Sequence, residues 1–285
     1  MVDFTLSPER AQHHPWHDQI LLRGTGLGLT PLFIGGTPVQ HEEFLKPFLS
    51  GEEEPLTSHI HSEPGDPANY LEKRGKGLQT TARKEGEDRI VNGDNSGHSS
   101  TAGPPTRFAG FCAPVRNILV APGKGAASVA ASFTSPACLV GAMSVGVMPA
   151  AFEAALQFGK TRPESRGTGT SEQTKCPDLL MDIKMRTDAA RFLTWKTANA
   201  YDNGHGLELC LDAKIFCSDL AVKSVVDAMS AVGMSSNDKD TVFPSLLNDA
   251  MCLPRFDGGN VGMRRRGLEK LMVADGYQPW GSTFE

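Results

Sequence analysis

Near the C-terminus the chain reads "RFDGGNVGMRRR", and the residue types there could do proton chemistry. Asp257 is a lone carboxylate followed by Gly258 and Gly259, with Arg264 seven residues on. A carboxylate held by a guanidinium suits a general base that takes a proton from an acidic carbon. The two glycines would leave space beside it for a flat ligand. A plainer reading competes. An acid at a helix start satisfies free N–H groups and the macrodipole, and the arginines then form a solvated basic face. On a helix begun at Asp257, Arg264 would lie on the same face two turns away. Spacing alone leaves both readings open.

Other segments offer weaker chemistry. "RGTGLGLTP" has alternating glycines but no clear strand before it or helix after it, so it reads as a turn and not a dinucleotide loop. "APGKGAAS" lacks the glycine spacing and the Ser or Thr of a phosphate loop. His13, His14 and His17 surround Pro15 and have no partner motif elsewhere, so a surface loop is preferred to a metal site. His59 and His61 share one face of a strand-like run, and Glu63 follows in "SEPG", read as structural. The six cysteines include no C-x-x-C pair, which points to reduced thiols in an intracellular, cytoplasmic setting. The opening "MVDFTLSPER" does not resemble a secretory signal. A net charge of −5 gives no field that would gather nucleic acid or an anionic membrane. The most apolar stretch, "ACLVGAMSVGVMPAAF", reads as too short to span a bilayer.

The elements that must position Asp257 are helical. Ser135 and Pro136 open a helix running to about Gly159, with Pro149 inside it. Pro177 opens another, through about Ala200, ended by Asn203-Gly204. It carries one apolar stripe at Leu179, Ile183, Ala190 and Leu193, and a second at Met181, Met185 and Phe192, which predicts a helix inside a bundle. A third spans about Leu207 to Val232 and stops at Gly233; "FPSLLNDAMCL" is shorter; the last is expected from Asp257 to about Ala274. Before residue 121 the chain is patchier. "RGTGLGLTPLFIGGTP" reads as turn-rich, "HEEFLKPFLSGEEEP" as a short helix stopped by Pro47 and Gly51, "LTSHIHSEPG" as a strand. "GLQTTARKEGEDRIVNGD" predicts two strands around an acidic turn, and "TRFAGFCAPVRNILVAP" a further strand.

"LLNDAMCLPRFDGGNVGMRRRGLEKLM" resembles the C-terminal signature of the acyl-CoA dehydrogenase superfamily, and its Asp with "DGGN…RRR" resembles the nitroalkane oxidase branch. The similarity extends in order through "MDIKMRTDAARFLTWKTANAYDNG", "DAKIFCSDLAVKSVVDAMSAVG", "PVRNILVAPGKGAA" and "GTPVQHEEFLKPFLSGEEEPLTSHIHSEPG". The resemblance implies a mainly α fold. Its C-terminal up-and-down helical bundle (122–285) would follow a truncated N-terminal helical segment (1–54) and a remnant of a β-barrel middle domain (55–121). It implies an FAD-dependent oxidoreductase that abstracts a proton from an acyl-CoA or nitroalkane and passes electrons to the flavin. Asp257 would be the base and Arg264 its partner. It also implies a homo-oligomer joined through the bundle, and no nucleic-acid or membrane partner.

The same resemblance exposes gaps. Several helices expected between "MVDFTLSPER" and "AQHHPWHDQILLRG" are missing. After "RIVNGD" the family places a lysine and a tryptophan at the flavin, where this chain has Asn95 and Gly97. Ser99, Ser100 and Thr101 keep hydroxyls there, and Gly103 then leads almost directly to "TRFAGF", the far end of the barrel. The family has an arginine near a Phe-Gly step; "KTRPESRG" keeps Arg162 and Arg166 but not that pattern, and Gln173 is placed like a glutamine near the FAD. The cofactor contacts implied are Ser99, Ser100, Thr101, Gln173, Gly258 and Gly259. The alternative these gaps raise is a truncated, non-catalytic paralogue whose bundle oligomerises or binds a partner.

Overall fold

A computed structural model describes residues 28–50, 57, 60, 63, 79–95, 106–134, 137–161, 175–255 and 257–281. These fall into two compact units that divide between Phe133 and Thr134. The first-unit histidine pair, the run from Ser99 to Thr101, Gln173, Arg162 and Arg166 lie outside the described residues, as do His13, His14 and His17.

The first unit starts with a helix over residues 28–35 (α1), where the sequence reads as turns. A side chain from outside the helix explains it. His41 Nε2 lies 2.9 Å from the Leu32 carbonyl oxygen, which also accepts from Gly36 N at 2.8 Å. These bonds satisfy the last turn in place of a local stop signal. Gly36 is required there, since a Cβ would sit 2.5 Å from the Leu32 oxygen and 2.6 Å from the His41 ring. Helix α2 follows as Pro38–Gln40, a π turn His41–Leu45, and Lys46–Ser50. A Thr37–Gln40 capping box starts it. Pro47 lies inside the helix and does not stop it. The wider π turn just before it, where Lys46 N–H reaches back to His41 O, takes up the strain a proline ring imposes.

Strands β1 (Thr81–Glu85), β2 (Asp88–Asn95) and β3 (Thr106–Pro114) form an antiparallel sheet in that order. The predicted acidic turn joins β1 to β2, with Gly86 at φ 57°. A bulge between Val91 and Gly93 shifts the β2–β3 register, and the freed Asn92 Oδ1 accepts Gly110 N–H at 2.8 Å. The buried Glu63 carboxylate accepts the N–H groups of Gln79 and Thr80 at 2.6 and 2.7 Å, which ties the entry to β1. Burial raises its pKa but these bonds outweigh it, so the net shift is downward. Helix α3 (Gly125–Thr134) closes the unit.

The second unit is a bundle of α4 (Ala137–Thr161), α5 (Lys175–Asp202), α6 (Leu207–Val232) and α7 (Phe243–Cys252). A last helix, α8, begins as a π turn Asn260–Arg264 and continues as Arg265–Met272. Its core holds Met148, Ala151, Ile183, Ala190, Ala221, Val225 and Ala228, all fully buried. The alanines let α4, α5 and α6 approach closely, and Gly141 faces Thr194 Oγ1, 3.0 Å from where a Cβ would be. Buried threonines complete the inner face of α5. Thr187, Thr194 and Thr197 each return their hydroxyl proton to the carbonyl four residues back at 2.8 Å. The second stripe of α5 differs from expectation: Met181, Met185 and Phe192 are exposed in this chain, with Trp195 edge-on to Phe192. By length and composition alone, an 18-residue window within residues 125–161 is apolar enough to cross a membrane, at a mean hydropathy of 1.6. Within α4, however, Val140, Val147, Met148 and Ala151 belong to the bundle core.

Candidate active site

Asp257 does not cap a helix. It sits in the turn between α7 and α8, and the position before the first turn of α8 is Gly259, with no side-chain cap. Its φ is +53°, and it is the sole non-glycine residue at positive φ among the described residues. A β-carbon in that region is strained by about 1–3 kcal/mol, which a chain retains where the conformation does something else. The helix-cap reading therefore fails on geometry. The acid is placed where capping would not put it.

Arg264 explains what holds it. Its guanidinium folds back over the turn, with Nη2 2.6 Å from the Asp257 carbonyl oxygen and 3.4 Å from Oδ2. Nε lies 3.2 Å from the carbonyl oxygens of Asp257 and Gly258. The pair is sealed from solvent, with side-chain exposures of 5% for Asp257 and 2% for Arg264. Breaking one half of so buried a pair leaves an uncompensated charge and costs about 3–5 kcal/mol. The two residues meet as expected, but not across a regular helix face. The π turn at Asn260–Arg264 rotates the arginine back towards the turn.

The glycines serve that same contact. Gly258 has φ +73°, and a Cβ on it would stand 2.7 Å from the Met263 sulfur and 3.2 Å from Arg264 Nε. At Gly259 a Cβ would come 3.2 Å from the Arg255 carbonyl oxygen. The space beside the acid is thus filled by the chain's own arginine and methionine, not left open at those two positions.

A polar network below the turn was not evident from the sequence. Lys214 on α6 is fully buried, and Nζ donates to the Leu253 carbonyl oxygen at 3.0 Å and to Asn260 Oδ1 at 2.7 Å. The Asn260 amide donates onward to Ser218 Oγ at 2.9 Å and Asp219 Oδ1 at 2.8 Å, and Arg265 closes on Asp219 Oδ2 at 3.0 Å. Burial pushes Lys214 down to about 8, and the Arg264 charge adds to that, while Asp257 and Asp219 oppose it. Its signal in the sequence is Cys210, Lys214 and Cys217: a lysine in the middle of an apolar i, i+4, i+7 face. Two thiols lie close as well. Burial raises Cys138, with Asp202 and Asp257 adding to it. Burial also raises Cys210 to about 12, so both are neutral spectators at ordinary pH. Among the described residues no cluster of His, Cys, Asp and Glu could hold a metal ion.

Comparison with known proteins fits this geometry. The acyl-CoA dehydrogenase C-terminal domain family matches residues 123–272. Nitroalkane oxidase of Podospora anserina is 40% identical, over 91% of this chain and 76% of its own length. That alignment runs over 329 positions against a chain of 285, so it opens gaps here: the relative carries internal segments that this chain lacks. Nitroalkane oxidase of Fusarium oxysporum is 36% identical over 93% of the chain and 77% of its own length. A solved flavoprotein nitroalkane oxidase superposes with a TM-score of 0.87 at 34% identity, covering 97% of this chain and 81% of that one. It was analysed for the roles of an arginine and an aspartate, seven residues apart, in its reaction. Fold, bundle and sequence agree: the chain belongs to the acyl-CoA dehydrogenase family, as a flavin oxidoreductase of the nitroalkane oxidase-like branch with large internal deletions.

Proposed function

We propose that the protein oxidises small nitroalkanes, with Asp257 as the base and Arg264 as the residue that orients it. The observation that carries this is the buried Asp257–Arg264 pair, held at positive φ and joined over 3.4 Å. The same residue types at the same spacing are the ones analysed in the reaction of the related nitroalkane oxidase. A nitro group makes its neighbouring C–H acidic, so a fixed carboxylate oxygen suffices to take the proton. Asp257 would leave with that proton and the substrate would become a carbanion. Arg264 keeps the carboxylate at one angle, because three of its contacts run to the backbone of the turn itself. An acyl-CoA, acidic at its α-carbon, is the competing substrate class.

The family are FAD flavoproteins, and FAD, when bound, accepts the electron pair of the carbanion. Ser99, Ser100 and Thr101 are offered for contacts to it. In the sequence they fall between Asn95 and Thr106, the paired residues that end β2 and begin β3. Gln173 is offered for a further contact. The buried Asp257–Arg264 pair fits the proton half of the reaction.

The purified protein should show flavin absorbance at about one flavin per chain and turn over primary nitroalkanes in preference to acyl-CoAs. Asp257→Asn should keep the flavin and lose turnover by roughly 10²–10⁴-fold, the range for a general base. Full activity in that variant would remove Asp257 from the mechanism. A homo-oligomer is proposed as well, with the exposed Met181, Met185, Phe192 and Trp195 face of α5 covered by a second copy. Light scattering of wild type and Phe192→Glu is the check: an unchanged mass would place the contact elsewhere.

A further inference from the structure

We propose that Lys214 is a positioning residue of this site: its buried ammonium pins both ends of the loop that carries Asp257 and gives that carboxylate a second positive neighbour. The inference rests on the reading of Asp257 as the base.

The loop 254–259 leaves α7 and enters α8. Leu253, at the end of α7, has a carbonyl with no partner in its own helix. Asn260 is the first residue of α8. Lys214 Nζ bonds to both, at 3.0 and 2.7 Å, from a third helix. One ammonium therefore fixes the take-off and the landing of the turn in which Asp257 is strained. Asn260 cannot swing away, because its amide is spent on Ser218 and Asp219, and its N–H on Pro254 O at 2.9 Å.

Volume alone does not call for a lysine here. A methionine would fill the same space without the cost of burying a charge, and both direct partners of Nζ are neutral oxygens. The charge itself is what a methionine lacks. The charged and titratable groups acting on or with Asp257 are Arg264 of α8, Lys214 of α6 and the Cys138 thiol of α4, on which Asp202 of α5 also acts. Lys214 is faced by Arg264, Asp257 and Asp219. Of these, Arg264 and Lys214 favour the ionised carboxylate that a base needs. The downward shift of Lys214 to about 8 leaves it mostly charged at neutral pH.

The test reads the carboxyl carbon of Asp257 by NMR in the full chain labelled at the aspartate carboxyl, with Asp257→Asn assigning its signal. Lys214→Met should raise the titration midpoint of Asp257 by roughly one unit, the effect of removing a nearby opposite charge. Equal midpoints in wild type and Lys214→Met would overturn the proposal, whereas a role limited to packing would leave the midpoint unmoved. If Lys214→Met does not fold, the wild-type curve decides. Asp257 should show a second step near pH 8 as Lys214 loses its proton; a single step overturns the proposal. This measurement needs no turnover, so its outcome stays separate from that of the Asp257→Asn assay.

Discussion

Asp257 is a residue whose backbone and side chain want different things. Its φ of +53° is tolerable for aspartate and more comfortable for asparagine or glycine. Asp257→Asn should therefore lose activity and, by urea unfolding, about 3–5 kcal/mol of stability for the broken buried pair, and Asp257→Gly should lose less than Asp257→Asn by up to about 1 kcal/mol, the backbone strain it relieves. Gly258→Ala is the contrasting case. It adds strain at φ +73° and a methyl 2.7 Å from Met263 Sδ, so it should cost about 1–3 kcal/mol by urea denaturation and weaken activity by displacing Arg264. At this scale the sequence was informative about types and silent about conformation. "DGG…R" announces an acid, a tight turn and a cation. Nothing in those letters says that the acid precedes the helix instead of capping it, since the π turn at Asn260–Arg264 has no sequence signature of its own.

The long helices were the easiest elements to read. Leu207–Val232 begins and ends where its apolar spacing and the Gly206 and Gly233 flanks place it. Both glycines have positive φ, a conformation the neighbouring residue types could not supply cheaply. Periodicity works for such helices because a buried face repeats in sequence. It failed for residues 28–35, whose last turn is satisfied by the His41 ring, and for Pro47, which sits behind a π turn. In both places a partner or a widened turn does what the local letters do not encode. The α4–α6 contact is the mechanical base of the site, since α6 carries Lys214 and α4 carries Cys138. Met148 is fully buried in that contact, and Met148→Ala should cost about 2–5 kcal/mol in urea unfolding, with activity lost only as the fold is lost.

For the molecule as a whole, two half-buried carboxyls make stability depend on pH in an unusual sense. Burial raises Asp249 to about 7, and burial with the charge of Glu208 raises Asp212 to about 6. In the folded chain these groups hold protons that the unfolded chain gives up near pH 4. Stability should then fall as pH rises from about 4 to about 7 and level off above that. Asp249→Asn should flatten the fall, and a melting series across that range in the variant and wild type would show it; parallel curves would count against it. A different consequence follows from the small sheet. Among the described residues β1 and β3 are its two edges. On β1 Arg83, Lys84 and Glu85 put three consecutive charges on the rim. On β3 the stretch from Phe108 to Ala113 has no charge at all, and Phe111 is half exposed. Arg107 stands at one end of that stretch and Pro114 at the other. They act as gatekeepers: a foreign strand could start to zip onto this rim but would meet a repelling cation at one terminus and a missing donor at the other. Where a closed barrel would hide such a rim, a shortened one must police it.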